Sequence, residues 1–169
     1  MSFQEIHLSP LVLAGLYKHA VISLNEEKTI TDTRTEPRAK FLGGNKKRIL
    51  ILVKSKDAVF VNDRGLFFLI KLLEACKMNI DDVAIVNNAE NKLSITDLKK
   101  ELQPKSIILF GCTPTNIQLP IEFPMFKLQE YDSSTYLYVP GLEELDTNTN
   151  DGKILKSKLW VCLKKLFDI

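Results

Sequence analysis

RILILVKSKDAVFVNDRGLFFLIKLLEACKMNIDDVAIVNN, residues Arg48 to Asn88, holds one complete β-loop-α-β unit. Ile49 to Val53 is an unbroken apolar run, the pattern of a strand buried on both faces of a parallel sheet. A polar loop follows. From Asp63 to Lys77, residues Leu66, Leu69, Ile70, Leu73 and Cys76 recur at helical spacing and define an inward face. Met78 to Asp82 returns the chain to a second strand, Val83 to Asn87. In such sheets, ligands and catalysis gather where strand ends meet loops at the carboxyl edge. Lys54, Lys56, Asp57, Arg64 and Asn87 belong to that edge and are the candidate binding residues. The loop itself, KSKDAVFVND, contains no glycine, histidine or cysteine, so the usual chemistry of the position is missing.

Downstream the alternation of strand and helix continues, which points to an α/β domain of three layers with a mainly parallel four-stranded sheet. Ser94 or Thr96 can cap a short helix that ends at Leu102, before Pro104. Ser106 to Phe110 reads as a third strand, closed by Gly111, and Thr113 to Gln118 as one helical turn. Met125 to Gln129 and Thr135 to Val139 are two further strand candidates. They form either a parallel edge strand with an extended segment or a hairpin through Asp132-Ser133-Ser134. After Pro140-Gly141 and the polar loop DTNTNDG, a last helix runs from about Lys153 to Phe167, with Leu155, Leu159, Cys162 or Leu163, and Leu166 inward.

Upstream, residues 1–24 read as an amphipathic helix capped by Ser9 with Pro10 in its first turn. Residues 25–45 are a polar connector, and the α/β domain spans 46–169. The N-terminal helix either packs on its own domain or lays Leu11, Val12, Leu16 and Tyr17 into a groove on a partner protein.

The chain has 169 residues, 45% of them hydrophobic, which suits one globular domain. No apolar run reaches the ~18 residues of a membrane span, and the start lacks the pattern of a secretory signal. Three cysteines far apart, Cys76, Cys112 and Cys162, read as reduced thiols of a cytoplasmic protein. No metal or cofactor motif is present. The net charge of +2 is too small to demand a nucleic-acid partner, although Lys54, Lys56 and Arg64 could form a local basic rim for phosphate. Tyr131, Tyr136 and Tyr138 could stack on bases, but alternating Tyr-Leu-Tyr is the ordinary pattern of a strand face. Cys112 has no histidine near it in sequence to activate it as a nucleophile.

Several motifs resemble the uracil-DNA glycosylase superfamily over roughly residues 41–169. Phe60-Val61, Arg64-Gly65, Leu69, Leu73, Met78, Asp82-Val83 and Asn87 follow one family pattern in order. Ile107 to Gly111 resembles the strand ending in a glycine turn, and Lys156, Trp160 and Leu163 resemble the closing K-x-x-x-W-x-x-L helix. The resemblance implies a glycosylase-like fold. The departures imply lost chemistry: Lys54-Ser55 stand where a glycine-rich acidic turn belongs, and Val139-Pro140-Gly141 replaces the family's His-Pro-Ser segment. A residual enzyme would have to use Asp57 to place water and Asn87 to read the base.

The layout is also similar to the psi subunits of bacterial clamp loaders, which resemble this superfamily without its catalysis. That resemblance implies a non-enzymatic replisome accessory protein that pairs with clamp-loader subunits. The alternatives are a divergent DNA glycosylase, a nucleic-acid or nucleotide-binding module using the basic rim, or another doubly wound domain.

Overall fold

A computed structural model describes residues 39–89 and 93–169. The N-terminal helix expected over 1–24, with Leu11, Val12, Leu16 and Tyr17, and most of the connector lie outside the described residues.

The elements are β1 (Leu42–Gly43), β2 (Ile49–Val53), α1 (Asp63–Ala75), β3 (Val83–Asn87), α2 (Ile95–Leu102), β4 (Ser106–Phe110), β5 (Leu128–Tyr131), β6 (Ser134–Val139), α3 (Leu142–Leu145) and α4 (Asn150–Phe167). Short 3-10 turns lie at Ile80–Asp82 and Pro114–Ile117. The sheet has six strands in the order β1-β3-β2-β4-β6-β5. β3, β2, β4 and β6 run parallel, with Ile51 opposite both Ile85 and Ile108. β1 and β5 are antiparallel edges, on β3 and β6 respectively. The expected four-stranded sheet is therefore corrected to a mixed sheet of six. The open choice at residues 125–139 resolves as a hairpin, with Tyr131 opposite Ser134.

Period-two alternation along the strands fills two cores. Ile49, Ile51 and Val53 of β2 face Leu69 and Leu73 of α1 and Leu159 and Leu163 of α4. Leu50 and Leu52 face the other way, onto Ile95, Leu98 and Leu102 of α2 and onto Ile117, Leu119 and Phe123 of the segment after β4. All five residues of β2 are buried, which explains its uninterrupted apolar sequence.

The helices begin at local caps. Asn62 accepts from the Gly65 amide at 2.8 Å, Ser94 from Asp97 and Thr149 from Gly152. α4 starts three residues earlier than its apolar spacing suggests, at Asn150, because Thr149 supplies the cap. Gly152 is required there: a Cβ would collide with the Oγ1 and carbonyl oxygen of Thr147. Gln103 and Asp168, both with positive φ, end α2 and α4.

Candidate functional site

The ends of β2, β4 and β6 open into a cleft of about 320 Å³ at the carboxyl edge of the sheet. β2 contributes Val53, Lys54 and Ser55; the start of α1 contributes Val61, Asn62, Arg64 and Gly65; and β4 contributes Phe110 and Gly111. The turn after β6 supplies Gly141, α3 supplies Leu142, Glu143 and Glu144, and the residues just after α3 add Asp146 and Thr147. Gly111 and Gly141 let the backbone ends of β4 and β6 approach closely. Gly111 has φ +65°, and a Cβ on it would lie 3.2 Å from the Gly141 Cα.

The expected site residues are only partly brought together. Lys54 and Arg64 line the cleft, whereas Lys56 and Asp57 are exposed on the loop outside its lining. Asn87 is not in the lining either. Its Nδ2 donates to the carbonyl oxygens of Ser55 and Ala58, both at 2.7 Å, and its Oδ1 accepts from the amides of Ser55 at 3.1 Å and Ala89 at 3.0 Å. A carboxamide has two donor hydrogens and two acceptor lone pairs, so this side chain is fully engaged by the backbone. It pins the loop between β2 and α1 against the end of β3.

The basic rim is also corrected. Arg64 donates from Nε to Asp146 Oδ2 at 2.6 Å and from Nη2 to the Asp146 carbonyl oxygen at 2.9 Å, which ties α1 to the end of α3. Glu143 and Glu144 stand in the same lining. Two cations thus face three carboxylates, so the cleft does not present a surplus of positive charge to a phosphate. Glu143, Glu144 and Asp146 are the lining residues that sequence reasoning missed. Their only local signal was an acidic pair just after the Pro140-Gly141 turn.

The remaining candidates are also placed. Cys112 is fully buried behind Gly111, and burial pushes its thiol up to about 11 against a smaller opposing effect of Lys54. A thiol in that state is not a nucleophile near neutral pH. Tyr136 is fully buried beside Phe123, and its phenol is pushed up to about 12 by burial, with Asp132 and Tyr131 adding to the shift. It belongs to the core and offers no stacking face. Tyr138 is half-buried, its phenol raised mainly by burial and further by Cys112 and Glu144. Tyr131 is exposed at the hairpin, at the amino edge of β6 and away from the cleft.

Among the described residues, no group of three or more His, Cys, Asp or Glu side chains is arranged to hold a metal ion, and no helix is long and apolar enough to cross a membrane. No protein-family model matches the chain, and no curated protein is similar enough in sequence to count as a relative.

Proposed function

We propose that this chain is a non-catalytic interaction protein, a degenerate relative of the uracil-DNA glycosylase fold with a cytoplasmic role like that of the psi subunit of a bacterial clamp loader. The observation that carries the reading is the state of Asn87. A glycosylase needs a carboxylate and a base-reading amide converging in one pocket. Here the amide is consumed by the loop backbone, and Asp57 is exposed outside the cleft lining. The parallel order β3-β2-β4-β6 and the four loops at its carboxyl edge are compatible with that ancestry. Shared fold does not carry function, so lost chemistry on a kept scaffold is a coherent outcome.

The test uses the tagged full-length chain in affinity capture with quantitative mass spectrometry, beside a Val12→Asp/Leu16→Asp variant. Enrichment of clamp-loader subunits by the wild type, and its loss in the variant, is the expected result. Absence of every replication protein from the wild-type capture sinks the psi-like reading. Excision of uracil from DNA, abolished by Asp57→Ala, would replace it with the enzyme reading.

A further inference from the structure

The outer face of α4 has a composition that the fold does not require. Ile154 and Val161 are 52% and 49% exposed, one heptad apart, or about 10.5 Å along the axis. At 100° per residue they lie on nearly the same line. Lys153 and Lys164 border that line on one side, and Lys158 and Lys165 on the other, all exposed. With Ile154 and Val161 at a positions, Lys158 and Lys165 fall at e and Lys153 at g, the positions that choose a partner in a coiled coil. Both a residues are β-branched, and the d positions hold Ser157 and Lys164, so the apolar contact of this face is confined to the a positions.

The charges are concentrated on this helix and unanswered among the described residues. α4 carries five lysines against one acid, Asp151, while the whole chain carries only +2. Among the described residues, none of these lysines lies within ion-pair distance of a carboxylate. The helix dipole accounts for Lys164 and Lys165 in the last turn, but it disfavours Lys153 near the positive end. Lys158 sits 5.9 Å from the Phe126 ring, a distance that leaves its ammonium free to take a carboxylate as well.

We infer that the Ile154–Val161 seam of α4 docks an acidic amphipathic helix of another protein, with apolar side chains on the seam and carboxylates against the flanking lysines. A second copy of this face is excluded as occupant, because lysine would meet lysine across the seam. A nucleic acid would use the lysines but gain nothing from two aliphatic side chains, and the face carries no arginine and no exposed aromatic ring. The inference shares with the proposed function only the premise of a protein partner; it names a different surface and does not need a clamp loader.

Two synthetic 21-residue helices test it against the full-length protein by fluorescence anisotropy. Both carry isoleucine at a and leucine at d; one has glutamate and the other lysine at e and g. The glutamate helix is expected to bind at least about tenfold more tightly than the lysine helix, with the preference falling as salt rises. Lys158→Glu/Lys165→Glu should reverse the preference, and Ile154→Asp/Val161→Asp should abolish binding of both peptides. These positions are solvent-exposed, and urea denaturation of each variant verifies the fold. Equal binding of the two peptides, or binding of neither, overturns the inference. So does a single-stranded oligonucleotide that binds through the lysines regardless of Ile154 and Val161. Loss of clamp-loader capture with the peptide preference intact would end the psi-like reading alone.

Discussion

Replacing Asn87 with alanine separates a structural pin from a ligand-reading group. The side chain makes four hydrogen bonds, to Ser55 twice, Ala58 and Ala89. Each neutral bond contributes a net ~1 kcal/mol. Asn87 is half-buried, so water recovers part of what the freed backbone groups lose. The expected loss is therefore about 2–3 kcal/mol rather than the ~4 kcal/mol of four independent bonds. Asn87→Asp is the sharper variant. It keeps the acceptors for Ser55 and Ala89 but points a carboxylate at the carbonyl oxygens of Ser55 and Ala58. That repulsion raises the folded-state pKa of the new carboxyl above its unfolded value of about 3.9. The variant then recovers stability relative to wild type as pH falls through the raised folded pKa towards the unfolded one, and loses it as pH rises. Urea denaturation followed by the single tryptophan, half-buried Trp160, measures both effects. A loss below about 0.5 kcal/mol for Asn87→Ala at unchanged m-value would refute the pin, as would an Asn87→Asp protein as stable as wild type at pH 7.

Gly152→Ala should destabilise the fold by about 1–3 kcal/mol, since its Cβ meets the Thr147 backbone; thermal denaturation reads it. Stability should also fall on the alkaline side. The Cys112 thiol is pushed from 9.0 to about 11, so above pH 9 the unfolded chain releases a proton that the folded chain keeps, and about 2–3 kcal/mol is lost by pH 11. Denaturation midpoints between pH 8 and 11 check this, and Cys112→Ser should flatten that part of the slope. Tyr136→Phe should leave stability within about 0.5 kcal/mol or raise it by up to ~1 kcal/mol, because the buried hydroxyl has no hydrogen-bond partner among the described residues. A clear loss of stability in urea would show that the hydroxyl is satisfied.

The strands β2, β3 and β4 were legible because each holds four or five consecutive apolar residues whose burial is continuous, a run too short for a helix and rich in β-branched residues in β2 and β3. The edges were not legible for physical reasons. β1 is two residues long, too short for any periodicity. Its Gly43, at φ +111°, lies against the Val83 and Ile80 carbonyl oxygens, where no side chain fits. β5 was expected at Met125 to Gln129 on apolar content, but Phe126 takes φ +59° and turns the chain, so pairing begins at Leu128. Asn87, singled out as a binding residue, instead satisfies backbone groups at the end of β3, through contacts 29 and 32 residues away in sequence. The charge of the cleft was illegible because it is non-local. Arg64 meets a carboxylate 82 residues away, brought there only by the turn after β6.

Binding free energy comes from groups that are not already satisfied within the protein. At the carboxyl edge of the sheet, where an α/β domain ordinarily places its chemistry, three of the groups singled out for function are committed. Asn87 holds the loop, Arg64 holds Asp146, and Cys112 is buried and protonated. A ligand that used Asn87 or Arg64 would first displace an existing contact, whereas Lys54, Glu143 and Glu144 of the cleft lining make no side-chain hydrogen bond or ion pair among the described residues. On α4 four exposed lysines border two exposed aliphatic side chains, and no carboxylate among the described residues answers them. The whole chain is only +2 while this helix alone is +4, so positive charge is concentrated on the last helix and the remainder carries net negative charge. The proposed docking on the outside of the last helix draws on that asymmetry. Substitutions at Ile154, Lys158, Val161 and Lys165 should alter partner binding while leaving the cleft and the stability of the sheet unchanged.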